Sequence, residues 1–317
     1  MILLVDKKAI WKKIMNGILV LFVFVFVASS AFLSIQWYLN PSLKANLQAS
    51  AFGSIQFVEQ PDLADLKTEN DSKINPVGNE ISNSVNARSA ISIEFDKGYM
   101  QKTLYEKNSD EKLPIASLVK LMTALVVFKN FDLEKEITIS KSVMSQVWEQ
   151  GNLKEGQVLS VKNLLYIMLM ESSNQAAFTL SEIIGNDNFV ALMNAKAKEL
   201  DLSNTHFEDV AGLSERSYST ARDLSYLSNY LLLNYPLFGE IINHKEYDLY
   251  LPDGILHHKL LNTNELLGQN GIVGGKTGYT HAAKGCFMVI QKKSLDRYII
   301  HIILGAQDRL LEMQKLL

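Results

Sequence analysis

The sequence predicts an α+β fold: a five-stranded antiparallel sheet flanked by helices, a mostly helical second lobe, and one N-terminal transmembrane helix preceding them. Three observations lead to this prediction. Two early segments and three late ones have the short apolar runs of strands, whereas residues 161–233 between them have the spacing of helices. Residues 14–39 carry no charge and exceed the roughly 20 residues that span a bilayer.

The N-terminal segment indicates export. A lysine-containing stretch, 1–13, precedes the apolar run 14–39, and Trp37-Tyr38 would lie at the far interface of the membrane, an arrangement typical of an anchor with a cytoplasmic N-terminus. A cleaved signal peptide is the alternative, because Ala28-Ser29-Ser30-Ala31 offers small residues to a peptidase. We prefer the anchor, since the apolar run continues beyond that site. Either way, the remainder of the chain is expected outside the cytoplasm, on a bacterial cell membrane or secreted.

Residues 40–86 are rich in Asn, Ser, Asp and Gln and show no sustained period, which indicates a flexible linker. Isolated apolar residues such as Phe52 leave open an irregular first subdomain. We expect a single catalytic domain over 87–317. It begins with a hairpin, in which the alternating segment Ala90–Phe95 is followed by a turn and then by Thr103–Tyr105.

The remaining elements follow from apolar spacing. Helices are expected over Ser117–Phe128, in four stretches of the middle region, and over Arg309–Leu317. Thr220 is expected to cap the last helix of the middle region. Three late strands are expected at Ile272-Val273, 285–291 and 298–304.

Composition excludes several functions. With 31 Lys and Arg against 34 Asp and Glu, the net charge is −3, and nothing favours a nucleic-acid partner. The single cysteine, Cys286, stands in an apolar run and is interpreted as a small buried hydrophobe rather than a catalytic thiol. The histidines lack metal-ligand spacing, so we expect no metal and no cofactor.

Ser117-Leu118-Val119-Lys120 places a hydroxyl and an amine three residues apart, on one face of a helix. The amine can take the serine's proton if burial lowers its pKa, and the apolar neighbours make burial plausible. The spacing alone is weak, because the polar loop Ser109–Lys112 repeats it. We therefore predict Ser117 as the nucleophile and Lys120 as its base.

Two further segments supply polar groups. Ser172 and Asn174 stand at a junction between helices, where Ser172 could relay a proton to a departing amine and Asn174 could bind a substrate amide and position the base. The alternative is that Ser173 or Asn174 simply caps a helix. Lys276-Thr277-Gly278 would bind a carboxylate, add a hydroxyl and let an extended substrate approach a strand edge. The backbone N–H groups of Ser117 and Tyr279 could form an oxyanion hole.

Taken in order, Ser117-x-x-Lys120, Ser172-x-Asn174 and Lys276-Thr277-Gly278 resemble the three motifs of the serine penicillin-recognising enzymes. The segment Pro114–Ala124 and the run Gly275-Lys276-Thr277-Gly278-Tyr279-Thr280 are similar to those of the low-molecular-mass D-alanyl-D-alanine carboxypeptidases, the S11 peptidases. The resemblance covers the chain from about Ala87 onward.

This resemblance implies a β-lactamase/DD-peptidase-like fold and removal of the terminal D-alanine from peptidoglycan stem peptides. It also implies that β-lactams inhibit by acylating Ser117, that Lys276 holds the substrate's carboxylate, and that Thr277 to Thr280 line the groove. Ser173 and Gln175 depart from the glycine and acidic residue usual beside the asparagine, which bears on rate and substrate. A DD-endopeptidase that cuts peptide crosslinks and a catalytically silent wall-binding homologue are the alternatives.

Overall fold

The computed structural model describes residues 85–317 apart from Gly98 and 147–149. The predicted basic N-terminus and transmembrane anchor, and all of the predicted linker before Val85, lie outside the described residues. Within the part of the chain that is described, no helix is both long and apolar enough to cross a membrane.

The described residues form eleven strands: β1 (Ser89–Asp96), β2 (Tyr99–Lys107), β3 (Leu113–Pro114), β4 (Glu136–Thr138), β5 (Val158–Ser160), β6 (Tyr218–Ser219), β7 (Glu246–Tyr250), β8 (Leu256–Leu261), β9 (Ile272–Thr280), β10 (Lys284–Lys292) and β11 (Arg297–Ala306).

Five of these strands build the main sheet, in the order β2-β1-β11-β10-β9. All neighbouring strands are antiparallel, and β1 pairs with β11 from Ser89↔Leu304 to Asp96↔Arg297, so both ends of the domain meet at the sheet's centre. This confirms the predicted sheet of two early and three late strands. The strand β9 lies at one edge of this sheet, where one side of its backbone is open to a ligand.

Both faces of the sheet are covered, which explains the nearly continuous apolar runs of its central strands. In β11, Ile300 and Ile302 point into the main core, while Ile303 points into a second apolar cluster on the opposite face. Met313, from the C-terminal helix, belongs to that second cluster. The sheet is therefore a rigid support for whatever its edge strand carries.

Seven α-helices occur in the described residues: α1 (Val119–Asn130), α2 (Val161–Met170), α3 (Asn174–Glu182), α4 (Asn186–Glu199), α5 (Ala221–Asn234), α6 (Pro236–Asn243) and α7 (Arg309–Gln314). The helical middle region and the short C-terminal helix agree with the prediction. The hydroxyl of Thr220 caps α5 by accepting a hydrogen bond from the backbone N–H of Asp223, at 3.0 Å, as expected.

Helix α1 runs through the centre of the domain, and its residues from Val119 to Val127 are all buried. The predicted helix starts two residues too early. Ser117 lies in a 3-10 turn, Ala116–Leu118, that leads into α1, since the N–H of Leu118 donates to the carbonyl of Ile115, three residues back, at 3.1 Å. Ser117 and Lys120 nevertheless remain on one face of the combined turn and helix.

Candidate active site

The hydroxyl of Ser117 lies at the entrance of α1, where it is partly exposed. The side-chain amine of Lys120, one turn further, is fully buried and donates a hydrogen bond to Ser117 Oγ at 2.8 Å. A nucleophile and its base in direct contact, with the nucleophile open to solvent, are the arrangement that acyl transfer requires.

Two further acceptors surround the amine of Lys120. They are Asn174 Oδ1 at 2.7 Å and the carbonyl oxygen of Ala211 at 2.8 Å. Burial lowers the pKa of Lys120 to about 7, and the negative charge of Asp209 opposes this shift only in part. The amine is therefore substantially neutral near pH 7 and able to accept the proton of Ser117.

The loop that supplies the Ala211 carbonyl is held by one carboxylate. Asp209 accepts hydrogen bonds from the backbone N–H groups of residues 211–214. Gly212, with a φ of +85°, packs so closely on the nucleophile's turn that a Cβ there would lie 1.9 Å from the carbonyl oxygen of Ala116 and 3.0 Å from the nitrogen of Ser117. The loop thus fixes both the base and the nucleophile.

Ser172, Ser173 and Asn174 have different partners. Ser173 is the N-cap of α3, since its hydroxyl accepts a hydrogen bond from the N–H of Ala176 at 3.2 Å, so the capping alternative holds for this residue alone. Asn174 reaches Lys120. The hydroxyl of Ser172 accepts a hydrogen bond from Lys276 Nζ at 2.7 Å, and the φ of +65° at Ser172 is a strained conformation at the cleft.

Lys276, Thr277 and Gly278 lie in the middle of β9, which begins at Ile272. Lys276 is fully buried, and burial together with the nearby charges of Lys120 and Arg309 holds its pKa well below the usual range. The hydroxyl of Thr277 donates a hydrogen bond to Thr263 Oγ1 at 2.8 Å. An anion bound beside this buried amine would favour its protonated form and so raise its pKa again.

Gly278, Tyr279 and Thr280, the three residues after Thr277, also lie at the active site or close to it. A Cβ at Gly278 would be 2.9 Å from the backbone nitrogen of Ser117, so this glycine is required for the contact between β9 and the nucleophile's turn. The side chain of Tyr279 is 46% exposed. The hydroxyl of Thr280 accepts a hydrogen bond from the N–H of Ala283 at 3.0 Å and so closes the turn into β10.

The structure thus brings the predicted residues together in two hydrogen-bonded groups, Ser117–Lys120–Asn174 and Ser172–Lys276. The groups are close enough for the charge of Lys120 to lower the pKa of Lys276. The look-alike lysine of the Ser109–Lys112 loop is exposed, as expected. Cys286 is buried, and burial raises the pKa of its thiol to about 12, which confirms its interpretation as a buried hydrophobe.

A sequence model of the peptidase S11 family, described as D-alanyl-D-alanine carboxypeptidase, matches residues 76–308. The chain belongs to this family. The D-alanyl-D-alanine carboxypeptidase DacF of Bacillus subtilis is 36% identical to it over 230 residues, which are 69% of this chain and 57% of the relative. A D-alanyl-D-alanine endopeptidase of Escherichia coli is 35% identical over 198 residues, 59% of this chain and 62% of the relative.

Among solved structures, penicillin-binding protein D2 of Listeria monocytogenes in its cefotaxime-bound form is 30% identical, with a TM-score of 0.64 over 73% of this chain and 96% of that one. The likeness confirms the predicted α+β fold of the S11 peptidase. The chain spans 57–62% of the length of the curated relatives named above and of the carboxypeptidase DacC of Escherichia coli.

Three groups at the site of this S11 peptidase were not singled out from the sequence. The carbonyl of Ala211 holds the base, but a backbone acceptor leaves no mark in side-chain identity. Asp209 supports that loop, and an acidic residue three positions before Gly212 is a turn signal that could have indicated it. Thr263 reaches Thr277 from a distant loop.

Proposed function

We propose that this S11 peptidase is a serine-type D-alanyl-D-alanine carboxypeptidase that removes the terminal D-alanine from peptidoglycan stem peptides through an acyl-enzyme on Ser117. The observation that carries the proposal is the 2.8 Å hydrogen bond from a buried lysine, with a pKa of about 7, to the hydroxyl of Ser117. In its neutral form the amine accepts the proton of Ser117 across this contact, and so activates the hydroxyl for attack on a carbonyl.

Substrate capture depends on charge. The terminal carboxylate binds between Lys276 and Thr277, and its negative charge raises the pKa of the buried Lys276 amine, which then binds as an ammonium. The scissile carbonyl then lies beside Gly278, the next residue along β9, and Gly278 contacts the backbone of Ser117. The N–H groups of Ser117 and Tyr279 stabilise the oxyanion that forms there.

Proton transfer uses the two serines and the two amines. Lys120 takes the proton of Ser117 as the Oγ–C bond forms, while Asn174 keeps the amine in place. Ser172 accepts its hydrogen bond from Lys276, so it can donate its own proton to the departing amine of D-alanine as the C–N bond breaks and take a replacement proton from the Lys276 ammonium. Water then hydrolyses the ester on Ser117 and releases the shortened peptide.

The same groups account for inhibition by β-lactams. A β-lactam carries an amide carbonyl and a carboxylate, so it meets Ser117 and Lys276 as the substrate does. Penicillin-binding protein D2, similar over most of the described domain, was solved with cefotaxime bound. We propose that β-lactams acylate Ser117 of this chain as well.

We further propose that the domain works outside the cytoplasm, tethered by the segment 14–39, or is secreted if that segment is cleaved. The apolar run behind a basic N-terminus supports the anchor. Peptidoglycan stem peptides are then the available substrate, and the membrane is the second partner. Alkaline extraction of membranes tests this, because an anchored chain stays in the pellet.

The proposed function is tested with a pentapeptide ending in D-alanyl-D-alanine, by measuring free D-alanine. The wild-type chain should release it, and Ser117→Ala should not. A folded wild-type chain that binds penicillin but releases no D-alanine would favour the silent wall-binding homologue instead.

A further inference from the structure

Ser172, the proton donor of the proposed reaction, lies at the junction between α2 and α3 in a strained conformation. Its φ of +65° is in the left-handed region, which a residue other than glycine keeps only where its surroundings hold it. On its C-terminal side, Ser173 caps α3 and so fixes the start of that helix. The contacts on its N-terminal side therefore decide whether the strained conformation persists.

Glu171, the residue directly before Ser172, is held through its side chain. One carboxylate oxygen accepts a hydrogen bond from His258 Nε2 at 3.0 Å, and the other accepts one from the N–H of Leu261 at 3.3 Å. The side chains of Glu171 and His258 are only 14% and 16% exposed, so water competes little for their contact. The N–H of Thr263 also donates to the carbonyl oxygen of the last residue of α2, at 3.0 Å. The end of β8 and the residues after it thus hold the backbone that leads into Ser172.

A chain of hydrogen bonds indicates that His258 is charged. Gln157 Oε1 accepts the N–H of Lys154, so His257 Nε2, 3.2 Å from the same oxygen, is the donor in that contact. Burial and the positive charges of His258 and Lys154 lower the pKa of His257, so this ring is neutral and its Nδ1 is an acceptor. His258 therefore donates through Nδ1 to His257 and through Nε2 to Glu171. A histidine that donates from both nitrogens is an imidazolium, and its hydrogen bond to a carboxylate is of the strong, charge-assisted kind.

We propose that Glu171 and His258 are positioning residues for the proton donor: their ion pair holds the backbone before Ser172 so that its hydroxyl points at the departing amine. This proposal rests on the proposed acyl-enzyme chemistry, in which Ser172 gives its proton to that amine and takes one from the Lys276 ammonium. When the pair is broken, the strained conformation of Ser172 relaxes and the hydroxyl moves away from the leaving group.

The leaving atom separates this role from a general structural one. An amide nitrogen departs only as it takes a proton, whereas a thiolate, from a thiol with an ordinary pKa of about 8.5, departs as the anion. A pentapeptide ending in D-alanyl-D-alanine and its thioester analogue, with sulfur in place of the scissile nitrogen, have the same acyl group, methyl group and carboxylate. Both substrates need Ser117, Lys120 and Lys276, but only the amide needs Ser172 as an acid. The measurement is kcat/KM for each substrate, which reports the steps up to acylation.

Two variants break the ion pair from opposite sides. Glu171→Gln keeps the size of the side chain but has one acceptor oxygen, so it loses the contact with either His258 or Leu261. His258→Phe keeps a ring and removes both donors. Each should lower kcat/KM for the amide at least about tenfold, a part of the roughly 100- to 10,000-fold that a positioned acid contributes, and for the thioester less than about threefold. His258→Gln, whose amide can still donate to Glu171, should recover part of the amide rate.

Glu246→Gln is the matched control. Glu246 also accepts a hydrogen bond from a cation, Lys259 Nζ at 3.2 Å, on the same β7–β8 hairpin, but both side chains are exposed. This variant should change neither rate. Equal losses for the amide and the thioester in Glu171→Gln and His258→Phe, or an amide rate that neither variant lowers, would overturn the proposal.

The outcome for the acyl-enzyme stays separate. A wild-type chain that cleaves both substrates, with a ratio of the two rates that the variants leave unchanged, contradicts the positioning role alone. A wild-type chain that cleaves neither substrate and forms no penicillin adduct contradicts the proposed function itself.

Discussion

Replacing Gly212 with alanine disturbs the nucleophile without touching any reactive group. The new Cβ would lie 1.9 Å from the carbonyl oxygen of Ala116, against 3.4 Å for an ordinary contact, so the loop and the turn must separate by about 1.5 Å, the difference between the two. The left-handed φ of +85° adds strain of roughly 1–2 kcal/mol. A displacement of about 1 Å at a reacting group can cost on the order of 100-fold in rate.

We therefore expect the rate constant for acylation by a fluorescent penicillin to fall about 100-fold in Gly212→Ala, by that estimate for a misplaced group. Gly254→Ala is the control, because Gly254 has a similar φ of +82° but nothing within 4 Å of its added Cβ. That variant should lose roughly 1–2 kcal/mol of stability and keep its acylation rate. If Gly212→Ala acylates within threefold of the wild type, the close approach does not position Ser117.

Three more predictions follow from buried groups. Because Lys120 must be neutral to accept a proton and its pKa is lowered to about 7, the acylation rate should rise with pH through about 7 and then level off. Asp209→Asn removes a charge that favours the ammonium form, so it should move the midpoint of this pH profile to lower pH. An unmoved or raised midpoint would contradict the assignment of Lys120 as the base. Burial lowers the pKa of His301 to about 3, so the unfolded chain binds its proton first as pH falls below about 6.5. Stability should then fall by about 1.4 kcal/mol per pH unit in that window, and urea titrations at pH 7 and pH 4 should show a smaller loss in His301→Gln. The amide nitrogen of Gln175 is buried and without a hydrogen-bond partner in the described part of the chain. Gln175→Met should therefore raise the free energy of unfolding by about 1 kcal/mol. If a urea titration shows a lower free energy of unfolding instead, the amide is needed for stability.

The main sheet and the helical lobe were predictable because their signals are strong. The central strands are apolar on both faces, and helix α1 is apolar on nearly every side, which leaves few alternatives to a buried position. The three motifs came together because each lies on such an element: Ser117 and Lys120 at α1, Asn174 at the start of α3, and Lys276 in β9.

The β7–β8 hairpin was not predicted, and its burial explains why. In β7, Leu249 alone is buried, while Glu246, Asp248 and Tyr250 are exposed, so the strand presents almost no apolar period. This hairpin nevertheless carries His258 to within 3.0 Å of the carboxylate of Glu171, the residue directly before Ser172.

The support of the base was not predictable for a different reason. Lys120 depends on the carbonyl of Ala211, and a backbone group has no residue identity to recognise. The role of Gly212 depends on a contact with a residue almost a hundred positions away, which spacing along the chain does not reveal.

The central claim is that Ser117 is the residue that becomes acylated. Intact-protein mass spectrometry after incubation with penicillin tests it most directly. The wild-type chain should gain the whole mass of one penicillin molecule, the adduct should map to the peptide that contains Ser117, and Ser117→Ala should gain nothing. An unchanged wild-type mass, or an adduct that persists in Ser117→Ala, would contradict the account.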